Sequence, residues 1–240
     1  MYVPATAEQC PNHLLSRLPE DEYQMLRPHL EYFPTPIKTV LFERGGEIRY
    51  VHFPLSGAHS VLAIMEDGSA VEVGTVGLEG MSTVDVLTGS TQATETTICQ
   101  IPGESLRMRV EQFNELLGRA PEFRRLLYRF LQAYLSQVSQ SVACNRLHTT
   151  EERFARWILL SHDRVKGDTF QLTQEFLADM LGVHRPSVTL VARNFQQAGL
   201  LTYNRGVITI LDRAGLEEAS CECYKVVRKQ FEKALGKGMG

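Results

Sequence analysis

Apolar positions along the chain change period twice. From Ile37 to Val110 they fall in short runs: IKTVLFE (37–43), YVHFPLSG (50–57), HSVLAIM (59–65), AVEVGTV (70–76), TETTICQI (94–101) and SLRMRV (105–110). Runs of this length, rich in β-branched and aromatic residues, predict strands. Arg44-Gly45-Gly46 and Glu66-Asp67-Gly68-Ser69 supply turns between them. Evenly spaced short strands with glycine-rich turns predict a double-sheet β-roll of the jelly-roll type, enclosing a pocket. Before it, Leu14, Leu15, Leu18, Tyr23, Leu26 and Leu30 predict helix over 12–30 around a break at Pro19.

After the strands the period becomes helical. Phe123, Leu126, Leu127, Phe130, Leu131, Tyr134, Leu135, Val138 and Val142 repeat at that spacing after Pro121. The face is wider than packing on one small β-domain requires. It predicts a dimerisation helix with Leu127, Phe130, Tyr134 and Val138 in the seam. Thr149 and Glu152 form a capping box that starts a further helix, ERFARWILLSHDRV. The break at 145–150 is the expected hinge. The organisation predicted is a β-roll over 1–118, a dimerisation helix over 119–146 and a third domain over 147–240.

That third domain is built around QLTQEFLADMLGVHRPSVTLVARNFQQAG (171–199). Phe176, Leu177, Met180 and Leu181 give one short helix, and Gly182 can take the left-handed conformation of a C-cap. Pro186 suits the first turn of a second helix, which turns Val188, Val191, Ala192 and Phe195 inward. Ala178, Gly182 and Val188 have the spacing of a helix-turn-helix. Two β-prone runs around Asn204-Arg205-Gly206 predict a hairpin, placed as a wing. A final helix is predicted from 212 to about 235, with the GKGMG end fraying. The fold class is therefore α+β: a β-roll, a long dimerisation helix and a C-terminal winged helix-turn-helix.

The outward face of the second helix carries Arg185, Pro186, Ser187, Thr189, Leu190 and Arg193. An arginine near a helix N-terminus can fork onto guanine in a major groove, and hydroxyls suit phosphate oxygens. Charge agrees with this: residues 1–145 carry 11 Lys and Arg against 17 Asp and Glu, net −6, and residues 146–240 carry 14 against 11, net +3. No run of about 18 apolar residues occurs, and the N-terminus lacks a basic start followed by an apolar stretch. Neither a membrane span nor a secretion signal is expected. The five cysteines, Cys10, Cys99, Cys144, Cys221 and Cys223, are odd in number and form no disulfide framework, which points to the cytoplasm. Cys221-Glu222-Cys223 is a possible metal or redox pair. Without a His/Cys partner cluster it reads as two ordinary residues, and no metal is expected. No Ser/His/Asp or paired-carboxylate arrangement stands out. His52 and His59 do not make the H-x-H of a metal-using cupin, so no catalysis is expected.

With these parts in place, nearly the whole chain resembles the Crp/Fnr family of bacterial transcription regulators. ERFARWILL, LTQEFLADMLGVHRPSVTLVARNFQQAGLL and RGVITI carry the resemblance. It implies a homodimer whose recognition helices enter successive major grooves of a palindromic duplex, and contact with RNA polymerase. Arg185 matches the family's leading base-reading arginine. Pro186 and Leu190 stand where the family often has Glu and Arg. Thr173, Gln174, Ser187, Arg193 and Arg205 are phosphate candidates. The iron–sulfur branch needs an N-terminal cysteine cluster, and only Cys10 lies there.

Cyclic-nucleotide binders of the family use a Gly-Glu pair for the ribose and an Arg-(Ser/Thr)-Ala element for the phosphate. Here the first reads Gly77-Leu78-Glu79, displaced by one residue, and the arginine position reads Gln92. The base-contacting Thr-Ser pair falls at Val138-Ser139. A neutral amide cannot form the charge-assisted fork to a phosphate, and losing such a pair costs on the order of 2–5 kcal/mol. The expected function is thus a homodimeric, sequence-specific DNA-binding regulator without a cofactor and not gated by cAMP. The alternative is the same architecture gated by a cyclic nucleotide or other small effector, held by Gly77, Glu79, Gln92, Val138 and Ser139.

Overall fold

The structure, a computed structural model, describes residues 3–236; the last four residues of the GKGMG end lie outside that range. Its N-terminal half contains five strands: β1 (Glu31–Thr35), β2 (Val40–Phe42), β3 (Tyr50–Ile64), β4 (Ala70–Val76) and β5 (Thr96–Arg109). They form one antiparallel sheet in the order β1-β5-β3-β4, with β2 also paired to β5. The runs 50–57 and 59–65 are a single strand, as are most of 94–101 and 105–110. Glycines let both strands bend without breaking. Gly57 has φ 76°, and a Cβ on Gly103 would strike the Ser56 carbonyl. The β3–β5 register shifts three times between Pro54 and His59. The roll is therefore one ladder folded over on itself, where the run lengths predict two sheets. Strand β1 was not predicted. Its Pro34 sits on an edge strand, where a missing N–H is tolerated.

The predicted N-terminal helix is reduced to α1 (Glu20–Leu26) flanked by 3-10 turns. The long segment divides at Ala120 into α2 (Val110–Arg119) and α3 (Pro121–Leu147). Glu22, buried, caps α3: its two carboxylate oxygens accept from the backbone N–H of Glu122 (3.0 Å) and Phe123 (2.8 Å). A carboxylate at a helix N-terminus satisfies orphan donors and complements the helix dipole. Next come α4 (Thr150–His162), β6 (Thr169–Gln171), α5 (Gln174–Leu181), α6 (Arg185–Gln197), β7 (Leu201–Asn204) and β8 (Val207–Ile210). The chain ends in α7 (Arg213–Ala219) and α8 (Cys223–Leu235), so the predicted last helix is broken at 220–222. The capping box of Thr149 and Glu152 is present at the start of α4. The unpredicted β6 pairs with β8 and completes a three-stranded wing sheet, order β6-β8-β7.

Helix α3 packs against α8 and β4 of its own chain. This corrects the dimer seam. Leu127 and Phe130 are fully buried and Tyr134 is 5% exposed, all three inside the protomer. Phe130 stacks at 6.1 Å from Phe231 of α8, and the Tyr134 ring lies over Gly74 of β4. These residues cannot face a partner. Tyr128, Leu135 and Val142, on the other side of the helix, are 52%, 55% and 67% exposed. With the half-buried Leu131 and Val138 between them, they make an apolar row at the alternating spacings of three and four that helix pairing uses. Of the four seam residues predicted, only Val138 lies on it. No helix among the described residues is long and apolar enough to cross a membrane.

Candidate nucleic-acid interface and a closed sensor pocket

Thr173 starts the helix-turn-helix: its Oγ1 accepts from the N–H of Phe176 at 3.2 Å. Gly182 ends α5 with φ 58° and ψ 44°. Arg153 of α4 donates to the Leu181 carbonyl at the same end. Pro186 lies in the first turn of α6, while Val188, Val191, Ala192 and Phe195 are buried beneath it. Arg185, Pro186, Ser187, Thr189, Leu190 and Arg193 are all exposed on the opposite face, as predicted. Thr189 Oγ1 donates to Gln174 Oε1 at 2.9 Å, which holds α6 to α5. The wing turns at Arg205 and Gly206, with φ 49° and 80°. Two successive positive φ values make a type I′ hairpin turn, and it carries the exposed Arg205 at the tip. Tyr203 Oη donates to the Leu172 carbonyl (2.7 Å) and anchors the wing beside Thr173. Among the described residues, no hydrogen bond or ion pair engages the side chains of Arg185, Arg193 or Arg205. Three free cations, an exposed helix face and a wing make a surface suited to a polyanion.

The residues expected at an effector pocket do not converge. The roll encloses a cavity of only about 10 Å³, lined by Phe42, Val61, Val76, Met81, Tyr134 and the acids Asp85 and Glu95 among others. A volume of that size holds about one water molecule, and two acids would repel a phosphate. None of Gly77, Glu79, Gln92, Val138 and Ser139 lines it. Gln92 lies on an exposed turn, its backbone bridged to Glu47. Ser139 is exposed and Val138 half-buried on α3. The pocket reading is thus corrected at its centre, because Glu79 already has a partner.

That partner is Arg164, just beyond α4. Glu79 Oε1 accepts from Arg164 Nη2 (2.6 Å), Arg164 Nε (3.2 Å) and the Gly77 N–H (3.1 Å). Both side chains are 2% exposed. Burial opposes the guanidinium's charge, but Glu79 beside it outweighs this, and the Arg164 pKa is raised. The flanking glycines follow from this packing: a Cβ on Gly77 would lie 2.6 Å from the Arg164 stem, and one on Gly80 would collide with the Phe130 ring. Nearby, Trp157 Nε1 of α4 donates to Glu72 Oε1 of β4 at 2.9 Å. Burial raises the Glu72 carboxyl to about 7, against opposing hydrogen bonds from Ser60 and Trp157 and the charges of Arg156 and Arg164. The roll and the DNA-binding half thus meet through buried charged and polar groups.

His52 and His59 are core residues whose ring centroids lie 6.4 Å apart. Burial lowers both to about 3, so they are neutral. Cys10 is also buried, and burial pushes its thiol up to about 11. The reading of Cys221 and Cys223 as residues without partners does not survive: Cys144 and His148 lie beside them. The i, i+4 spacing of Cys144 and His148 near the end of a long helix was the signal available in the sequence.

A winged helix-turn-helix carried with a β-roll and a long helix defines a DNA-binding transcription regulator. Residues 152–219 match the model of the Crp-like helix-turn-helix domain. The transcriptional activator protein anr of Pseudomonas aeruginosa is 30% identical over 186 residues, covering 72% of this chain and 73% of that protein. The transcriptional activator protein FnrA of Stutzerimonas stutzeri is 29% identical, covering 73% and 75%. FixK2 from Bradyrhizobium japonicum shares the fold, with a TM-score of 0.69 at 14% identity over 80% of this chain and 98% of that one. The chain belongs to the Crp/Fnr family, whose members are transcription regulators that bind DNA and act as dimers.

Proposed function

We propose that this regulator reads a palindromic duplex with α6 and the wing of each protomer, and that it does so without a cyclic nucleotide. The observation that carries the second part is the engagement of Glu79 by Arg164, together with a roll cavity of only about 10 Å³. A carboxylate already receiving three donors is not free for a ribose hydroxyl. In the first part, Arg185 reads a guanine, Leu190 and Pro186 offer apolar contact to thymine methyls, and Thr173, Gln174, Ser187, Arg193 and Arg205 meet phosphates. The division of labour follows the chain: a roll over 1–118, a dimer helix over 119–146 and a DNA-binding domain over 147–240. The dimer seam is Tyr128, Leu131, Leu135, Val138 and Val142. A regulator of this build works in the cytoplasm, contacts RNA polymerase when bound at a promoter, and needs no catalytic step.

The test is selection of sites from a random duplex library by the purified, ligand-free protein. The expected result is a palindrome whose half-sites are centred about 34–36 Å apart. Enrichment that appears only when cAMP or another cyclic nucleotide is added would overturn the ungated reading.

A further inference from the structure

Four side chains outside the DNA-binding face come together where α3 ends. Cys144 lies in the last turn of α3 and His148 just beyond it. Cys221 lies in the break between α7 and α8, and Cys223, one residue past Glu222, opens α8. One ligand atom from each lies within 4.8 Å of all the others. Cys144 Sγ and Cys221 Sγ are 3.5 Å apart, as are Cys223 Sγ and His148 Nδ1. The three cysteines are buried in a small cluster of their own, apart from the main core, and His148 is half-buried.

We propose that Cys144, His148, Cys221 and Cys223 form a tetrahedral site for one zinc ion. Zinc–sulfur bonds of about 2.3 Å and zinc–nitrogen bonds of about 2.0–2.1 Å give tetrahedral S···S edges near 3.8 Å and S···N edges near 3.5 Å. The observed separations fit those edges with small adjustments. A polynuclear iron–sulfur cluster seats its thiolates on different irons and needs a wider set. Three sulfurs and one imidazole are soft and borderline donors, which excludes magnesium and calcium and suits zinc.

The surroundings are those of a metal site. His148 turns Nδ1 toward the sulfurs, while its Nε2 lies 3.2 Å from Glu222 Oε2. This is the carboxylate–histidine–metal relay that fixes a ligand's tautomer. Gln140 Nε2 donates to Cys223 Sγ at 3.1 Å, the outer hydrogen bond a thiolate ligand needs. Three thiolates around a dication leave one negative charge. Arg153 and Arg156 of α4 lie close enough to act on Cys144 electrostatically. Because the ligands span the hinge at 145–150, the ion would pin the end of the dimer helix to the last helix pair.

The full chain, purified under reducing conditions without chelator, should carry close to one zinc per protomer by elemental analysis. Cobalt(II) in its place should show thiolate-to-metal charge transfer and the intense visible bands of a tetrahedral ion. Cys223→Ser should lose the metal and His148→Cys should keep it. Glu222→Gln should weaken zinc by about 10–100-fold in competition with a chromophoric chelator. If the cysteine variant fails to fold, titration of the reduced wild-type protein still decides. No zinc uptake there, octahedral cobalt, iron in place of zinc, or a Cys144–Cys221 disulfide in the reduced preparation would each overturn the assignment.

Discussion

Glu72 offers a perturbation whose size and pH dependence both follow from its surroundings. Ser60 Oγ lies 2.5 Å from Glu72 Oε2 and 2.6 Å from Gln100 Oε1. One hydroxyl proton cannot serve two acceptors, so a proton on Glu72 completes the chain, with Glu72 donating to Ser60 and Ser60 to Gln100. Burial agrees, raising the carboxyl from an ordinary 4.5 to about 7. Each pKa unit is about 1.4 kcal/mol, so ionised Glu72 costs the fold about 3 kcal/mol. The folded pKa is the higher one, so the sign is fixed. Below about pH 4.5 the group is protonated in both states and nothing is lost. As pH rises the unfolded chain releases its proton first, and stability falls until pH passes about 7. Glu72→Gln keeps an acceptor for Trp157 and a donor for Ser60 without the charge. The variant should match wild type near pH 4.5 and exceed it by about 3 kcal/mol at pH 8. Urea denaturation read by the fluorescence of Trp157, the only tryptophan, measures this directly. A stability difference that stays constant between those pH values, or a variant no more stable than wild type at pH 8, would refute the reasoning.

Three further outcomes are expected. Arg164→Met leaves Glu79 buried without its partner and should cost about 3–5 kcal/mol in denaturant unfolding, while pairing it with Glu79→Gln should restore most of the loss. Leu135→Glu on the exposed side of α3 should shift light scattering from dimer to monomer with the fold intact. Phe130→Ala, on the buried side, should instead cost about 3–5 kcal/mol of stability. Arg185→Ala should weaken the selected site by about 1–3 kcal/mol, whereas Arg205→Ala should weaken all duplexes alike and reduce the salt slope by about 1, both measured by fluorescence anisotropy.

The helix-turn-helix was legible because its determinants are local. Gly182, Pro186 and the spacing of Val188 to Phe195 act within about two turns of the residues they organise. The wing could be read from Asn204-Arg205-Gly206 for the same reason. What periodicity cannot convey is which body a buried face meets. Helix α3 is apolar on two sides, and Leu127, Phe130 and Tyr134 have the same spacing whether they pack on β4 and α8 or on a second copy. Glu79 misled in another way: Gly77-Leu78-Glu79 matched a ribose-binding pair displaced by one residue, yet Gly77 and Gly80 are small so that Arg164 and Phe130 can close over the loop. Arg164 lies 85 positions away, and nothing in the helix ERFARWILLSHDRV marks it as that partner. The cysteines were divided between Cys144 and Cys221, 77 positions apart, so only the packing of α3 on α8 revealed them as a set.

The wing tip carries an evolutionary consequence in its backbone. Arg205 holds φ at 49°, a left-handed conformation that costs a non-glycine residue about 1–2 kcal/mol and that asparagine or glycine adopts more readily in such a turn. With the phosphate contact proposed for Arg205, heat tolerance and duplex affinity are expected to pull this one position in opposite directions. A library varied at 205 and screened only for surviving heat should drift to glycine or asparagine. The same library screened for promoter occupancy should return to a basic residue, and the gap between the two winners would measure what the cation contributes.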